Sequence, residues 1–193
     1  MDIEQFRQPE DKSLPAFWTP LSESDAVLLR KRNIRRRFDL SIVYAVAARC
    51  RFGFPQVLVC RPERRGGSPF PTLFWLTCPY LGRKCGEMES LHKIGELEEI
   101  FRTREDDVAV WHQKYSLLRK SISATGIDIT TGVGGIDHRD APYAVKCLHL
   151  QAATWLGWRY HPAADWLKKE LEIHECFAGL CKMNEDKEKE KAV

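Results

Sequence analysis

The order of hydrophobic patterns along the chain most restricts the folds open to it. Between residues 40 and 77 the apolar residues form three short runs, rich in β-branched and aromatic side chains: SIVYAVAARC, QVLVC and TLFWLTC. Such runs, separated by glycine and proline, predict β-strands. After Cys78 and Pro79 the apolar residues recur every three or four positions, which indicates amphipathic helices. We therefore expect an α+β fold: a small antiparallel sheet of about three strands, packed by several helices.

Three helices are predicted next to the strands. The first begins at the capping pair Ser22 and Asp25 and runs to about Phe38. Two more follow the sheet, with apolar residues at helical spacing over 88–101 and over 108–122. A break between them is expected at residues 103–106.

Two further helices are predicted in the C-terminal third. One starts at Asp140, with Pro142 in its first turn, and ends at Gly157. The last begins near His161, and its apolar residues continue at helical spacing to Cys181. That spacing predicts a helix buried over a broad face.

Length and local composition divide the chain into three parts. The 193 residues suit one well-buried domain, which we place at 21–182. Residues 1–20 contain three prolines and the aromatic pair Phe17 and Trp18, which indicates an N-terminal arm packed on that domain. Residues 183–193 are highly charged and predict a disordered tail.

The cysteines and the N-terminal residues indicate a cellular compartment. The opening residues carry acidic side chains without a basic stretch or an apolar core, so they do not resemble a secretory signal. No apolar run reaches membrane-spanning length, which predicts no membrane insertion. Seven scattered cysteines favour thiols or metal ligands over disulfides. These features predict a cytoplasmic protein.

Three sequence blocks resemble those of a known family. They are CRFGFPQVLV at 50–59, GSPFPTLFWLTCP at 67–79, and GVGGI with VKCLH between 132 and 149. Together they resemble the bacterial domain-of-unknown-function family number five hundred and one, over roughly residues 40–160. The resemblance implies membership of this family, and it implies no particular activity because none is established for the family. Many relatives have a second cysteine where this chain has Phe52, so a role that needs a thiol there is absent.

A cysteine-based metal site is the first functional hypothesis. The blocks contribute Cys50, Cys78 and Cys147, and His149 follows the third, which together make a complete shell for zinc, or thiolates for an iron–sulfur cluster. The chain has no C-x-x-C pair, so only the fold could bring these ligands together. If residues 140–157 are one helix, Cys147 and His149 point about 200° apart and cannot both face one ion. Inert core thiols are the competing interpretation.

A thiol-dependent enzyme is a further alternative. Cys147 or Cys78 would be the nucleophile, and His149 or His138 the base. A nearby cation or a helix N-terminus could lower the pKa of the thiol.

Binding of a polyanion, as a nucleic-acid or protein interaction module, is the alternative from another class. Six of the eight residues 30–37 are cationic, enough to neutralise several phosphates. Gly132, Gly134 and Gly135 resemble in outline a phosphate-binding turn, although they more commonly serve close chain approach. The candidate phosphate or nucleic-acid ligands are Arg32, Arg35, Arg36, Arg61, Arg65 and Lys146.

Overall fold

The computed structural model describes residues 15–32, 38–64, 66–126, 129–137, 139–177 and 179–181, and it confirms the α+β fold. The strands are β1 (Val43–Arg49), β2 (Pro55–Cys60) and β3 (Phe74–Leu76). The helices of the described residues are α1 (Glu23–Arg32), α2 (Pro79–Ser90), α3 (Lys93–Arg102), α4 (Glu105–Ser121), α5 (Leu148–Trp158) and α6 (Ala164–Glu170). Among these helices, none has the length and apolar character needed to cross a membrane.

The sheet has the predicted antiparallel neighbours, in the order β1-β2-β3. All six residues of the central strand β2 are buried, because both faces of the sheet are covered. Val57 and Val59 face the larger apolar cluster, which the helices after the sheet build. Leu58 and Cys60 face a smaller cluster that includes Leu29 of α1. Alternate residues of one strand thus serve two cores.

The segment before α1 is anchored to the helix-rich core. Trp18 is 3% exposed, and its ring lies edge-on to those of Tyr44 and Phe74. Its indole N–H donates to the carbonyl oxygen of Gly157, 2.9 Å away. The predicted packing of the aromatic pair on the main body is therefore confirmed for Trp18.

The capping pair at the start of α1 is also confirmed. The Ser22 amide donates to the Asp25 carboxylate at 3.0 Å, and the Asp25 amide donates back to the Ser22 hydroxyl at 3.1 Å. Arg49 at the end of β1 donates twice to the same carboxylate, at 2.7 and 2.9 Å. Burial by itself raises the pKa of Asp25, but these hydrogen bonds outweigh it and hold the pKa below its usual value.

Asp25→Asn is expected to lower the free energy of unfolding by about 2 kcal/mol at pH 7, because the buried half of an ion pair loses its charge. A carboxyl group whose pKa is depressed on folding stabilises the protein above about pH 4, and this contribution is lost as the pH falls through the folded-state pKa. The difference between wild type and variant should therefore shrink as the pH falls below about 4 and through the folded-state pKa. Denaturant unfolding measured from pH 2 to pH 8 checks this.

The exposed Glu23→Gln, in the same helical turn, is the matched control and should change stability by less than about 0.5 kcal/mol. A difference between wild type and Asp25→Asn that stays undiminished from pH 5 to pH 2 would contradict the account.

Of the first three predicted helices, the second needs correction. The prediction of one helix over 88–101 is wrong, because α2 ends at Ser90 and α3 begins at Lys93. His92 between them has a φ of 58°, in the left-handed region. Met88 and Leu97 both reach the core, so the apolar spacing continued across the break. The break at 103–106 is confirmed. The predicted end of α1 near Phe38 stays a prediction, because residues 33–37 lie outside the described residues; Phe38 itself is not helical.

The last predicted helix is much shorter than expected. α6 begins at Ala164 and ends at Glu170, whereas Ile173 and Phe177 beyond it are 41% and 75% exposed. Polar contacts hold this later segment instead: Gln56 Nε2 donates to the carbonyl oxygen of His174 at 3.0 Å. The helix therefore ends at Glu170, and beyond it Leu171 and Cys181 are buried whereas Ile173 and Phe177 are not.

Candidate metal centre

The site lies where the C-terminal turn of α2 meets the start of α5. Glu89 on α2, Cys147 just before α5, and His149 on α5 each offer a ligand atom, and these three atoms lie within 4.8 Å of one another. All three residues are half-buried. Among the residues that the structure describes, this is the one group of three or more such side chains at that spacing.

The α5 helix starts eight residues later than predicted, and this late start creates the site. The predicted start at Asp140 is wrong: Cys147 has an extended backbone, with φ −166° and ψ 154°, and helical structure begins at Leu148. Two carboxylates from earlier helices accept the amides there, Glu98 from Val145 at 3.0 Å and Glu89 from Leu148 at 2.7 Å. These acceptors satisfy donors that a longer helix would have bonded internally.

Because Cys147 is outside the helix, the 200° separation expected for a continuous helix does not apply. An extended residue turns its side chain independently of the helical rotation. The structure thus brings Cys147 and His149 together, and it adds Glu89. Glu89 is not among the ligands predicted from the sequence. Its one local signal is that it lies seven residues after Gly82, the other residue that contacts His149, and thus on the same side of α2.

His149 is held by acceptors on both sides of its ring. Nδ1 lies 3.0 Å from the Glu89 carboxylate, and Nε2 lies 3.0 Å from the carbonyl oxygen of Gly82. Both neighbours present acceptor oxygens, which favours a proton on each ring nitrogen when no metal is bound. The hydrogen bond with Cys147 raises the pKa of His149 most, burial opposes it, and Glu89 raises it further, to about 9.

A second thiol lies close to this group without joining it. Cys85, one turn before Glu89 on α2, is completely buried. Burial raises the pKa of its thiol to about 12, with a further increase from Glu89 and Cys147. Cys85 therefore stays protonated and apolar in character.

Cys50 and Cys78, the other two predicted ligands, lie elsewhere. Cys78 precedes the first turn of α2, whereas Glu89 is in its last turn, about 16 Å away along the helix axis. Cys50 and Cys78 instead line one small cavity together with Cys176 and Cys181. The four residues predicted as one ligand set are thus divided between two places.

The glycine-rich turn before the site allows the backbone to pack closely against His112. A Cβ atom on Gly132 would lie 2.3 Å from Nδ1 of the buried His112, so only glycine allows this approach. The amides of Gly132, Val133 and Gly135 donate to Ile136 O, His112 Nδ1 and Gly132 O, respectively. With these donors engaged, the turn does not offer phosphate the row of free N–H groups that such a loop requires.

The described basic candidates differ in their availability to a polyanion. The Arg32 guanidinium donates to Cys181 Sγ at 2.7 Å and to a backbone carbonyl at 2.8 Å. Arg61 donates to the carbonyl oxygen of Ile122 at 3.2 Å. Lys146 is exposed. The remaining predicted residues, Arg35, Arg36, Arg65 and the alternative base His138, lie outside the described residues.

Comparisons with known proteins agree with the three sequence blocks. A family model described as "Protein of unknown function (DUF501)" matches residues 46–169, which is more than half of the chain. The search of curated proteins and the search of solved structures returned no match. The matched range contains Cys50, Cys78, Glu89, Cys147 and His149, whereas Cys176 and Cys181 lie beyond it. On this match, the chain belongs to the DUF501 family of proteins of unknown function.

Proposed function

We propose that the protein binds one divalent transition-metal ion, zinc by preference, between Glu89, Cys147 and His149. The observation that carries the proposal is the convergence of a carboxylate, a thiol and an imidazole within 4.8 Å from two helices that are far apart in sequence. Ligand atoms around tetrahedral zinc are about 3.5 Å apart, so small side-chain rotations suffice to close the shell.

The mixture of donors favours zinc. Oxygen, nitrogen and sulfur ligands together suit a borderline ion, whereas an iron–sulfur cluster is usually held by several cysteines. Three protein ligands leave a fourth position for water or a substrate, as in zinc sites that activate water. The His149 side chain is 40% exposed, which supports access to that position.

The test is a titration of the reduced, metal-free protein with Co²⁺, followed by displacement with Zn²⁺. Cobalt bound to a thiolate gives a charge-transfer absorption band, so the part of the band that Cys147→Ser loses reports this site. We expect Cys147→Ser to abolish this site's band and Glu89→Gln to weaken binding by on the order of 100-fold. Glutamine keeps an acceptor for the Leu148 amide, which protects the start of α5.

Glu87→Gln is the matched control, because this exposed carboxylate lies on the same helix two residues before Glu89 and outside the group. Its metal affinity should equal that of the wild type. Equal cobalt binding by wild type, Cys147→Ser and Glu89→Gln would refute the proposal.

Thiol chemistry is the second candidate for the same residues, and the state of His149 favours it. His149 would be the acid–base partner of the Cys147 thiol, and Glu89 would orient its ring. In the same titration, a protein that binds no metal but whose Cys147 is alkylated faster than its other thiols would support this candidate instead.

A further inference from the structure

A second group of thiols surrounds a small cavity at the opposite end of α2. Four of the seven cysteines line it, and all seven are unpaired thiols. The cavity lies under the turn between β1 and β2, with Phe52, Phe54 and Pro55 as its apolar wall. Its thiols come from three separate parts of the chain: Cys50, Cys78, and the pair Cys176 and Cys181.

Hydrogen bonds outside the cavity fix the relative positions of these segments. The Cys50 amide donates to the Phe54 carbonyl oxygen at 3.0 Å, which closes the turn after β1. Arg51 ties that turn to the C-terminal segment, with its amide donating to Glu175 at 2.8 Å and its guanidinium to the Cys176 carbonyl oxygen at 3.1 Å. The four thiols thus converge because surrounding polar contacts bring their backbones together.

One cation lies among these thiols, and the described lining brings no carboxylate to them. The Arg32 guanidinium donates to Cys181 Sγ at 2.7 Å, and the described lining of the cavity contains no carboxylate. The Cys78 thiol lies against the backbone N–H groups of Leu81 and Tyr80, at the start of α2. A metal centre held by thiolates carries negative charge. The Arg32 guanidinium and the N–H groups at the start of α2 already lie where they would stabilise that charge.

We propose that Cys50, Cys78, Cys176 and Cys181 hold a soft metal centre as four thiolates, either one zinc ion or an iron–sulfur cluster. Four cysteines form the complete shell of a structural zinc site and of both common cluster types. On binding, each thiol releases its proton and each sulfur forms one bond to metal, with no change of oxidation state. Arg32 offsets part of the charge of the filled site.

Binding requires the thiols to move inward. Within the described residues, no three of these sulfur atoms lie within 4.8 Å of one another. Cys176 belongs to residues 171–177 after α6, which are neither helix nor strand, so its backbone can approach the other thiols. The filled site would therefore clamp the C-terminal segment onto the sheet, independently of the ion proposed at Glu89.

The test is metal and sulfide analysis of full-length protein purified without oxygen or chelator, comparing wild type with Cys78→Ser and Cys176→Ser. Serine is a favoured residue before a helix, so Cys78→Ser should fold, and Cys176 is half-buried. We expect each variant to lose one zinc per chain, or to lose iron and sulfide together. The first result assigns a zinc ion, and the second a cluster.

Cys147→Ser is the matched control, because it removes a thiol of the other site. It should keep the metal centre that Cys78→Ser and Cys176→Ser lose. If wild type and these two variants are folded and have the same metal content, the four-thiol centre does not exist. That result would not contradict the metal site at Glu89. If Cys147→Ser is the one variant that loses metal, the result supports the site at Glu89 and not the four-thiol centre.

Discussion

Alanine in place of Gly132 is expected to lower the free energy of unfolding by about 3 kcal/mol. The added Cβ would lie 2.3 to 2.6 Å from three atoms of the His112 side chain. His112 is completely buried and has no room to retreat. The substitution must therefore displace either the histidine or the turn.

Both ring nitrogens of His112 contribute to this cost. Nδ1 accepts the Val133 amide at 3.0 Å, so Nε2 carries the proton and donates to the carbonyl oxygen of Pro142 at 2.9 Å. The histidine thus joins α4 to the glycine turn and to the segment that leads into Cys147. Its displacement leaves buried polar groups without partners, which costs more than the steric overlap alone.

Urea unfolding followed by far-ultraviolet circular dichroism measures the effect as a shift in midpoint at constant slope. Gly95→Ala is the matched control, because a Cβ there meets open space inside α3. It should raise stability by about 0.5 kcal/mol, since alanine favours helix. Equal midpoints for the two variants would show that the turn relaxes without strain.

Trp18→Ala is expected to cost about 4 kcal/mol, the usual effect of removing a buried tryptophan. Trp18 precedes the range that matches the family model, yet its ring packs on Tyr44 and Phe74 and its N–H reaches Gly157. The variant would leave a cavity between the sheet and α5 and an unpaired carbonyl group. The N-terminal segment is therefore expected to be part of the stable fold.

Phe17→Ala, at the position before Trp18, provides the comparison. Phe17 is half-buried, with the Arg159 guanidinium 4.0 Å from its ring centroid, so its removal should cost about 1 kcal/mol. Thermal unfolding monitored by calorimetry distinguishes the two. If Trp18→Ala melts like Phe17→Ala, the segment is an attachment that the fold does not need.

Local patterns were sufficient to predict several elements. The three strands follow from runs of β-branched and aromatic residues bounded by turns, and the capping pair Ser22 and Asp25 follows from residues three apart. In both cases the interacting groups are close in sequence, so their geometry depends little on the rest of the chain. The break at His92 escaped prediction because apolar spacing reports which side is buried and does not report continuity.

The sequence by itself determined the order of strands and helices, the supply of thiols and the family to which the chain belongs. Only the tertiary structure decided which thiols meet. Glu89 and His149 are 60 residues apart, and a carboxylate from α2 helps to set where α5 begins. That start leaves Cys147 extended beside His149, while the C-terminal segment brings Cys176 and Cys181 to Cys50 and Cys78. Such contacts depend on packing between distant segments, which local propensity does not encode.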